Sequence, residues 1–470
     1  MTTRATQTKL RSFWRLLRQA VKGTEQDYTE GSLGRAVFLL SVPMILEMLM
    51  ESVFGILDVF FVGRLGPDAV AAVGLTESLL TVVFALAMGL SMSTTALVAR
   101  RIGEKRPEDA ARTAVQAIAV GLAVAAPLAL VGLVWPRELL GLMGAPSSVV
   151  ETGWSYTAWM LGGNASILLL FLINAAFRGA GDASVAMRSL WLANGVNIVL
   201  DPCLIFGLGP FPELGITGAA IGTTVGRSVG VAYQLAALAG SRGRLRVERR
   251  HLRPDSGLAL HLLRVSVGGT VQFLIATASW LGLVRILTPF GAAALAGYTI
   301  ALRIIIVAIL PSWGMTNAVA TLVGQNLGAR KPERAERAVW ITGLYNMVFL
   351  LGVAAVFILW PERLVGLFTT DPAVLSLGAT CLRVVSYGYA FYAWGMVMVQ
   401  AFNGAGDTTT PTWINLFCYW LFQIPLALGL ALGLGLGPLG VFLAITIAES
   451  VVALVGILLF RRGRWKEQVV

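Results

Sequence analysis

The sequence consists largely of apolar runs of about 20 residues or more, separated by short polar and often basic segments. An α-helix of that length crosses the hydrocarbon core of a bilayer, whereas the strands of a membrane barrel are short and alternate in polarity. The composition agrees, because 56% of the residues are hydrophobic and only 13% are charged, against about a quarter in soluble proteins. These features predict an all-α, polytopic integral membrane protein.

Twelve membrane spans can be drawn through these runs, six on each side of a basic linker. The first six are predicted over 36–62, 69–98, 113–134, 153–176, 188–208 and 216–239. The second six are predicted over 258–287, 292–323, 337–359, 375–401, 411–432 and 438–460.

An internal repeat relates the two sets of spans. The segment IGEKRPEDA at 102–110 matches LGARKPERA at 327–335, and FRGAGD at 177–182 matches FNGAGD at 402–407. Both pairs, and two further ones, are offset by 225 residues. Six spans return the chain to its starting side, so the halves are predicted to be parallel repeats related by an axis along the membrane normal, with a transport site between or within them.

The basic residues predict the orientation and the domain boundaries. They concentrate in loops on one side, which the positive-inside rule assigns to the cytoplasm of a plasma (inner) membrane, together with both termini. The predicted parts are an N-terminal arm 1–35, an N-lobe 36–240, a linker 241–257, a C-lobe 258–461 and a tail 462–470. The net charge of +11 comes from these loops and is not interleaved with aromatic residues, which argues against nucleic-acid binding.

The arm carries the pattern of an amphipathic helix lying on the membrane surface. Basic side chains share one helical face, and apolar side chains share another. The basic set is Arg11, Arg15, Arg18 and Lys22, and the apolar set is Trp14, Leu17 and Val21. A simple orientation signal is the alternative explanation.

Acidic residues inside the first span are the main functional candidates. Glu47, Glu51 and Asp58 are spaced by four and seven residues, which places them within about 40° of one another on a helix. The fifth span repeats this rhythm with Asn194, Asn197 and Asp201. Two polar stripes are therefore predicted to face a common cavity inside the N-lobe.

The repeat shows that the architecture does not require these acids. The residues 225 positions after Glu47, Glu51 and Asp58 are Gln272, Ala276 and Leu283. A carboxylate at the centre of a membrane costs about 2.5–3.5 kcal/mol on insertion scales, so it takes a proton or keeps a cation beside it. Protons would titrate across such a group as a set, and the oxygens of Asp58, Asn197, Asp201 and Thr223 would alternatively hold Na⁺.

The remaining polar residues predict less. Cys203, Cys381 and Cys418 lie in apolar runs without metal-ligand spacing, and His251 and His261 belong to no catalytic constellation. Glu77 and Glu449 are isolated acids, and three arginines are interpreted as helix-end anchors or counter-ions: Arg227, Arg285 and Arg303. The GAGD turns lack the GK[ST] sequence of a phosphate loop. We expect neither enzymatic activity nor an organic cofactor or nucleotide.

Several of these motifs together resemble the MATE (multidrug and toxic compound extrusion) family of transporters. They are ILDVFFVGRLGPDAVAAVGL, VGQNLGA, FRGAGD and NIVLDPCLIFGLG followed by GITGAAIGT, and the likeness covers residues 36–461. The resemblance implies a V-shaped pair of six-helix lobes and drug efflux driven by inward movement of Na⁺ or H⁺.

The resemblance also implies a branch of the family. The first-span aspartate matches Asp58, the fifth-span asparagine and aspartate match Asn197 and Asp201, and the sixth-span threonine matches Thr223. This is the pattern of the branch whose cation site lies in the N-lobe. Another branch carries a glutamate in the seventh span and an aspartate in the tenth. Both acids are absent here, and the seventh span has Gln272 instead. Glu47 and Glu51 exceed the family pattern, and Asn194 and Gln272 are accessory candidates.

Three functions remain open at this point. The leading one is an antiporter that exports amphiphilic, often cationic, compounds as a monomer in the lipid bilayer. The second is a flippase for lipid-linked saccharides, which would favour a basic cavity. The third, an intramembrane enzyme, would require a nucleophile–base pair or a metal cluster in the membrane.

Overall fold

A computed structural model describes residues 13–23, 26–240 and 243–468, and these residues form helices and loops without a β-strand. Twelve long helical elements follow the predicted spans in order. The first six are α1 Leu33–Val62, α2 Pro67–Gly103, α3 Pro107–Val134, α4 Ser147–Ala180, α5 Ala183–Phe206 and α6 Ile216–Ala239. The second six are α7 Ser256–Leu287, α8 Ala292–Gly328, α9 Pro332–Leu359, α10 Pro372–Ser386 with Tyr389–Ala405, α11 Thr409–Gly433 and α12 Pro438–Arg461.

Most of these elements satisfy the length and composition of a membrane span. Nine helices in the described part of the chain are long and apolar enough, and α10 adds a tenth if its two segments count as one span. The other two elements, α1 and α6, have 30 and 24 residues and so exceed the about 20 residues that a span requires. Both carry charged residues along their length, including Asp58 and Arg227.

The internal repeat extends to irregularities of the helices. α4 is interrupted at Gly163, and α10 bends by 60° around Gly388, which lies 225 positions later. Lys105 and Arg330 are also 225 positions apart, and both adopt a positive φ, of 62° and 58°. One feature is not repeated: α11 contains a π-helical stretch over Leu416–Gln423, whereas α5 is a continuous α-helix.

Close contacts between α2 and α8 show how the two halves are related. A Cβ atom on Gly103 would lie 2.0 Å from the carbonyl oxygen of Gln325, and one on Gly328 would lie 2.2 Å from that of Arg100. Position 103 corresponds to 328 and position 100 to 325 in the repeat. Reciprocal contacts between equivalent positions are the signature of a two-fold axis. The structure thus confirms two parallel lobes related by a pseudo-two-fold axis.

The lobes meet on the side of the linker. Gly89 of α2 approaches the backbone of α7 at Ser266, and Gly314 of α8 approaches α1 at Met44, each with 2.5 Å between the glycine's added Cβ and a carbonyl oxygen. In the opposite halves of α1 and α2, by contrast, Cβ atoms on Gly55 and Gly74 would meet nothing within 4 Å. The lobes therefore enclose a V-shaped cleft that opens away from the linker.

The N-terminal arm forms a helix over 13–22 and then passes beneath both lobes. Trp14 is exposed, and so are Arg15, Arg18 and Lys22, while Arg11 lies outside the described residues. The membrane-surface helix stays a prediction. Tyr28 is buried, with its ring against Gly181 of the N-lobe. On the C-lobe side, Arg334 donates hydrogen bonds to the carbonyl oxygens of Gly31 and Glu30, at 2.9 and 2.7 Å.

Candidate functional site

Glycines recur every four residues along α6 and bring it close to α5. They are Gly218, Gly222, Gly226 and Gly230. A Cβ atom on Gly222 would lie 2.3 Å from Oδ1 of Asp201, and one on Gly226 would lie 2.6 Å from the carbonyl oxygen of Ala193. Small residues at this spacing allow membrane helices to approach closely. The polar side chains of α5 are consequently packed against the backbone of α6.

Three of the predicted site residues meet at this contact. The Nδ2 atom of Asn197 donates to Oδ1 of Asp201 at 2.9 Å and to Oγ1 of Thr223 at 3.0 Å. All three side chains are buried. The Oδ1 atom of Asn197 is also buried and has no hydrogen-bond partner among the described residues. The cluster therefore presents acceptor oxygens that its own donors leave unsatisfied.

Asp58 of α1 completes the acidic group. It is partly exposed and interacts electrostatically with Asp201 and with Arg227 of α6. Glu77 of α2 interacts with Asp58 in the same way, and also with Arg303 of α8 in the other lobe. Three carboxylates and one guanidinium thus lie near the predicted site, and one of the three, Glu77, is exposed on α2.

Glu51 and Asn194 form a second level of the polar stripe. The Nδ2 atom of Asn194 donates to Oε2 of Glu51 at 3.0 Å, and Arg227 interacts electrostatically with the same carboxylate. Because Arg227 interacts with both Glu51 and Asp58, it links this level with the acidic group.

Glu47 lies four residues before Glu51 on α1, interacts electrostatically with it, and has hydrogen-bond partners of its own. Its Oε1 atom accepts hydrogen bonds from Arg178 and Asn174, both at 3.2 Å, and the residue is buried. A buried carboxylate is strongly destabilising without a partner, and Arg178 of α4 supplies one. The carbonyl oxygen of Arg178 in turn accepts from Thr321 of α8 at 3.0 Å. Glu47 therefore belongs to a network that reaches the contact between the lobes.

Gln272 lies in a chain of amides inside the C-lobe. Its Nε2 atom donates to Oδ1 of Asn403 at 3.2 Å and to the carbonyl oxygen of Thr408 at 2.9 Å. Asn403 continues the chain to Gln400, which donates to Asn317 at 3.0 Å. The repeat position of Glu47 is thus occupied by a neutral, hydrogen-bonded side chain.

Sequence reasoning did not place Arg227 and Tyr156 at the site. Tyr156 of α4 is buried and interacts electrostatically with Asp58, Asp201 and Arg227. Arg227 follows Thr223 by four residues, so the two share a face of α6. That spacing, together with an arginine in the middle of a span, was the available signal.

The arrangement suits a monovalent cation or a proton. Carboxylate, amide and hydroxyl oxygens are the ligands that hard cations prefer. The described residues contain no group of three or more His, Cys, Asp or Glu side chains placed to hold a metal ion. Any Na⁺ would therefore rely on Asn197 and Thr223 beside the two aspartates, and would move through the protein as its cargo.

Comparison with known proteins gives concordant results. The family model MatE matches residues 43–203 and 270–428. A probable multidrug resistance protein NorM from Thermotoga maritima is 27% identical over 439 residues, which cover 92% of this chain and 93% of that protein. An FAD transporter from Shewanella oneidensis is 26% identical over 84% of this chain and 87% of its own length.

Solved structures agree with the fold. The outward-facing conformation of a multidrug resistance MATE family transporter has a TM-score of 0.87 and 28% sequence identity, with 96% of this chain and 99% of that chain covered.

Proposed function

The chain belongs to the MatE family, and on that premise we propose that it is a secondary active antiporter. It exports amphiphilic, often cationic, organic compounds across the plasma (inner) membrane in exchange for Na⁺ or H⁺. Both termini are cytoplasmic, and the protein acts as a monomer. Relatives named as multidrug transporters support the export of drug-like compounds.

The observation that carries this proposal is the buried cluster of Asn197, Asp201 and Thr223 beside Asp58. Two carboxylates in the interior of a membrane domain require a proton or a cation to offset the loss of hydration. The unpartnered oxygen of Asn197 gives the same cluster an additional cation ligand. Binding and release of a cation would therefore change the charge of the N-lobe interior.

The exchange follows from competition for these carboxylates. In the outward-facing state, Na⁺ or H⁺ neutralises Asp58 and Asp201 and weakens the attraction for a cationic compound, which leaves. In the inward-facing state the ion departs, and the recharged acids bind the next compound. A ligand shifts a two-state equilibrium only through its different affinities for the states, and charge exchange supplies that difference.

Arg227 gives the acids an internal counter-ion for the steps in which neither ion nor substrate is bound. Its guanidinium interacts electrostatically with Glu51 and Asp58, on both levels of the stripe. An arginine stays protonated at all physiological pH values, so its position, and not its charge, responds to the carboxylates.

Anionic substrates fit this lobe less well. The FAD transporter relative shows that the fold accommodates proteins with other cargo, and lipid-linked saccharides carry phosphates as FAD does. Glu51, Asp58 and Asp201 outnumber Arg227 in the N-lobe interior and would repel a phosphate. The acidic character therefore favours export of cations over a flippase activity.

Purified protein in proteoliposomes tests the proposal. We expect transport of tetraphenylphosphonium, a lipophilic organic cation, when a Na⁺ or an H⁺ gradient is imposed separately, with one of the two gradients driving it. Liposomes without protein give the background. Absence of transport under both gradients, from protein that binds the cation and is correctly folded, would overturn the antiporter.

A further inference from the structure

Glu449 is an acidic residue in the middle of α12 that the proposed exchange does not use. Both oxygens of its carboxylate are within hydrogen-bond distance of the Tyr419 hydroxyl, at 3.2 and 3.4 Å. No Lys or Arg nitrogen among the described residues lies within 4.0 Å of it. It therefore differs from Glu47, whose charge is offset by Arg178 at 3.2 Å.

The internal repeat relates this pair to the N-lobe site. Tyr419 lies 225 positions after Asn194, the residue that donates to Glu51. Equivalent positions of α5 and α11 thus each donate a hydrogen bond to a carboxylate. In the N-lobe the acid comes from α1, and in the C-lobe, where Ala276 replaces Glu51, it comes from α12.

The local helix geometry of α11 supports a role in ligand binding. Tyr419 lies in the π-helical stretch Leu416–Gln423. π-Helical stretches are rare in proteins, and those that occur are often found at functional sites. Gln423 follows Tyr419 by four residues, is 3% exposed, and has an Oε1 atom without a hydrogen-bond partner among the described residues. A buried carbonyl oxygen without a donor indicates that a positively polarised group is missing from its surroundings.

The surroundings of Glu449 favour an organic cation over a metal ion. Two aromatic residues, Tyr392 of α10 and Tyr419 of α11, interact electrostatically with Glu449. Aromatic rings attract an organic cation through their faces, in addition to the carboxylate. A metal ion would require several oxygen ligands, and in the described part of the chain Glu449 belongs to no group of three or more His, Cys, Asp or Glu side chains that could hold one.

We infer that Glu449, Tyr419 and Gln423 form a second binding subsite, in the C-lobe, for the positively charged group of an organic cation. The inference rests on the proposed export of organic cations and adds a place where they bind. The N-lobe acids couple binding to Na⁺ or H⁺, whereas the C-lobe subsite binds the cation without that exchange. One protein molecule then has two places for a cationic compound.

Calorimetric titration of the full-length protein in detergent with tetraphenylphosphonium tests the subsite. At a saturating concentration of the coupling ion, tetraphenylphosphonium should still bind the wild type at the C-lobe subsite. We expect the variant Glu449→Gln to bind it there with about tenfold lower affinity. Tyr419→Phe keeps the ring but removes the hydroxyl, and should weaken that binding less. Tetraphenylborate, an anion of the same shape, should bind Glu449→Gln no more weakly than it binds the wild type.

Ser450→Ala is the matched control, because Ser450 is the next residue on α12 and its hydroxyl bonds only to the carbonyl oxygen of Thr446 in the same helix. If Glu449→Gln binds tetraphenylphosphonium as tightly as Ser450→Ala does, the C-lobe subsite is wrong. That result leaves ion-driven transport by the wild type untouched. Failure of the wild type to transport any organic cation would instead overturn the proposed function.

Discussion

Asp58 and Asp201 share the N-lobe interior with the guanidinium of Arg227. Their chemistry depends on being ionisable, whereas their packing depends only on size and hydrogen bonding. Asparagine has nearly the shape of aspartate and costs less than a carboxylate in an apolar interior. Substitution to asparagine therefore separates charge exchange from folding.

We expect Asp58→Asn and Asp201→Asn each to abolish gradient-driven efflux while the proteins still fold and insert. Efflux rates in proteoliposomes under an imposed ion gradient measure the effect. Asp68→Asn is the control, because Asp68 is an exposed acid in the first turn of α2. If Asp58→Asn transports at the wild-type rate, the competition of ion and substrate for these carboxylates is wrong.

Glu47 illustrates a different use of an acid at the residue scale. Removing one member of a buried ion pair is destabilising by about 3–5 kcal/mol, because the other charge stays buried. Arg178→Met should therefore lower the melting temperature markedly, and the double variant Glu47→Gln with Arg178→Met should recover most of the loss. Equal melting temperatures for the single and double variants would show that the pair contributes no coupling.

Glu47→Gln alone retains an acceptor oxygen for Arg178 and Asn174. We expect it to weaken efflux without abolishing it, unlike the asparagine variants of the acidic group. This contrast follows from the position of Glu47 in the network near α8.

At the scale of elements, the segment 26–32 of the arm connects loops of both lobes. Lys105 of the N-lobe forms an ion pair with Asp27, and Lys331 of the C-lobe donates to the carbonyl oxygen of Thr29 at 3.0 Å. Arg244 of the linker lies 5.8 Å from the centre of the Tyr28 ring. Because the segment binds both lobes, these contacts hold the linker-side ends together, and the proposed alternating access would require them to break.

Arg334→Gln should loosen this segment, because glutamine cannot make the several hydrogen bonds that the guanidinium donates to the backbone of the arm. We expect faster hydrogen exchange over residues 26–32, measured by mass spectrometry. Arg337→Gln is the control, since Arg337 is exposed on the same helix. Equal exchange in both variants would show that Arg334 does not hold the arm.

The ion pair between Asp27 and Lys105 keeps its charges throughout the physiological pH range. Partial burial opposes ionisation, but hydrogen bonds from Lys105 and Thr29 outweigh it and hold the pKa of Asp27 below its usual range. A carboxyl with a lowered pKa in the folded state contributes stability above the unfolded value of about 3.9 and loses it as the pH falls further. Any pH dependence of transport between pH 5 and 8 therefore arises elsewhere.

The proposed antiport requires the whole molecule to exchange its linker-side contacts for contacts on the far side during transport. Those linker-side contacts depend on glycine, because a side chain at Gly328 would collide with the backbone of Arg100. We expect Gly328→Leu to shift the protein away from the outward-facing state and to slow efflux. Gly352→Leu is the control, because a Cβ atom there meets nothing within 4 Å.

Accessibility of the linker-side ends to a membrane-impermeant thiol reagent in inside-out vesicles measures the shift. A cysteine in place of Glu104, at the end of α2, should react faster in Gly328→Leu than in Gly352→Leu. Equal reactivity would contradict the assignment of this contact to the closed side of the cleft.

The orientation of the molecule in the membrane follows from loop charges and has its own test. Ser256 is exposed at the start of α7, directly after the basic linker. A cysteine at this position should react with an impermeant reagent only after the cells are permeabilised, with the wild type and its three native cysteines as background. Labelling from outside intact cells would reverse the predicted topology.

The sequence by itself determined the class of the protein, the order of its spans and its duplicated plan. These properties depend on local features: the length of apolar runs, the spacing of loops and a constant offset between repeated motifs. Asn197, Asp201 and Thr223 were predicted together as oxygen ligands for Na⁺ and by the family resemblance, and the structure brings them into contact.

Only the tertiary structure decided which polar residues became partners. It paired Glu47 with Arg178, added Arg227 to the acidic group, and set Glu449 beside Tyr419 in the lobe where the repeat had shown no acid. Helical periodicity assigns a residue to a face of its own helix, but the neighbour across that face depends on the packing of helices far apart in sequence. The residue across that face determines whether a buried charge is paired within the protein or can bind a ligand. No local sequence pattern encodes the identity of that residue.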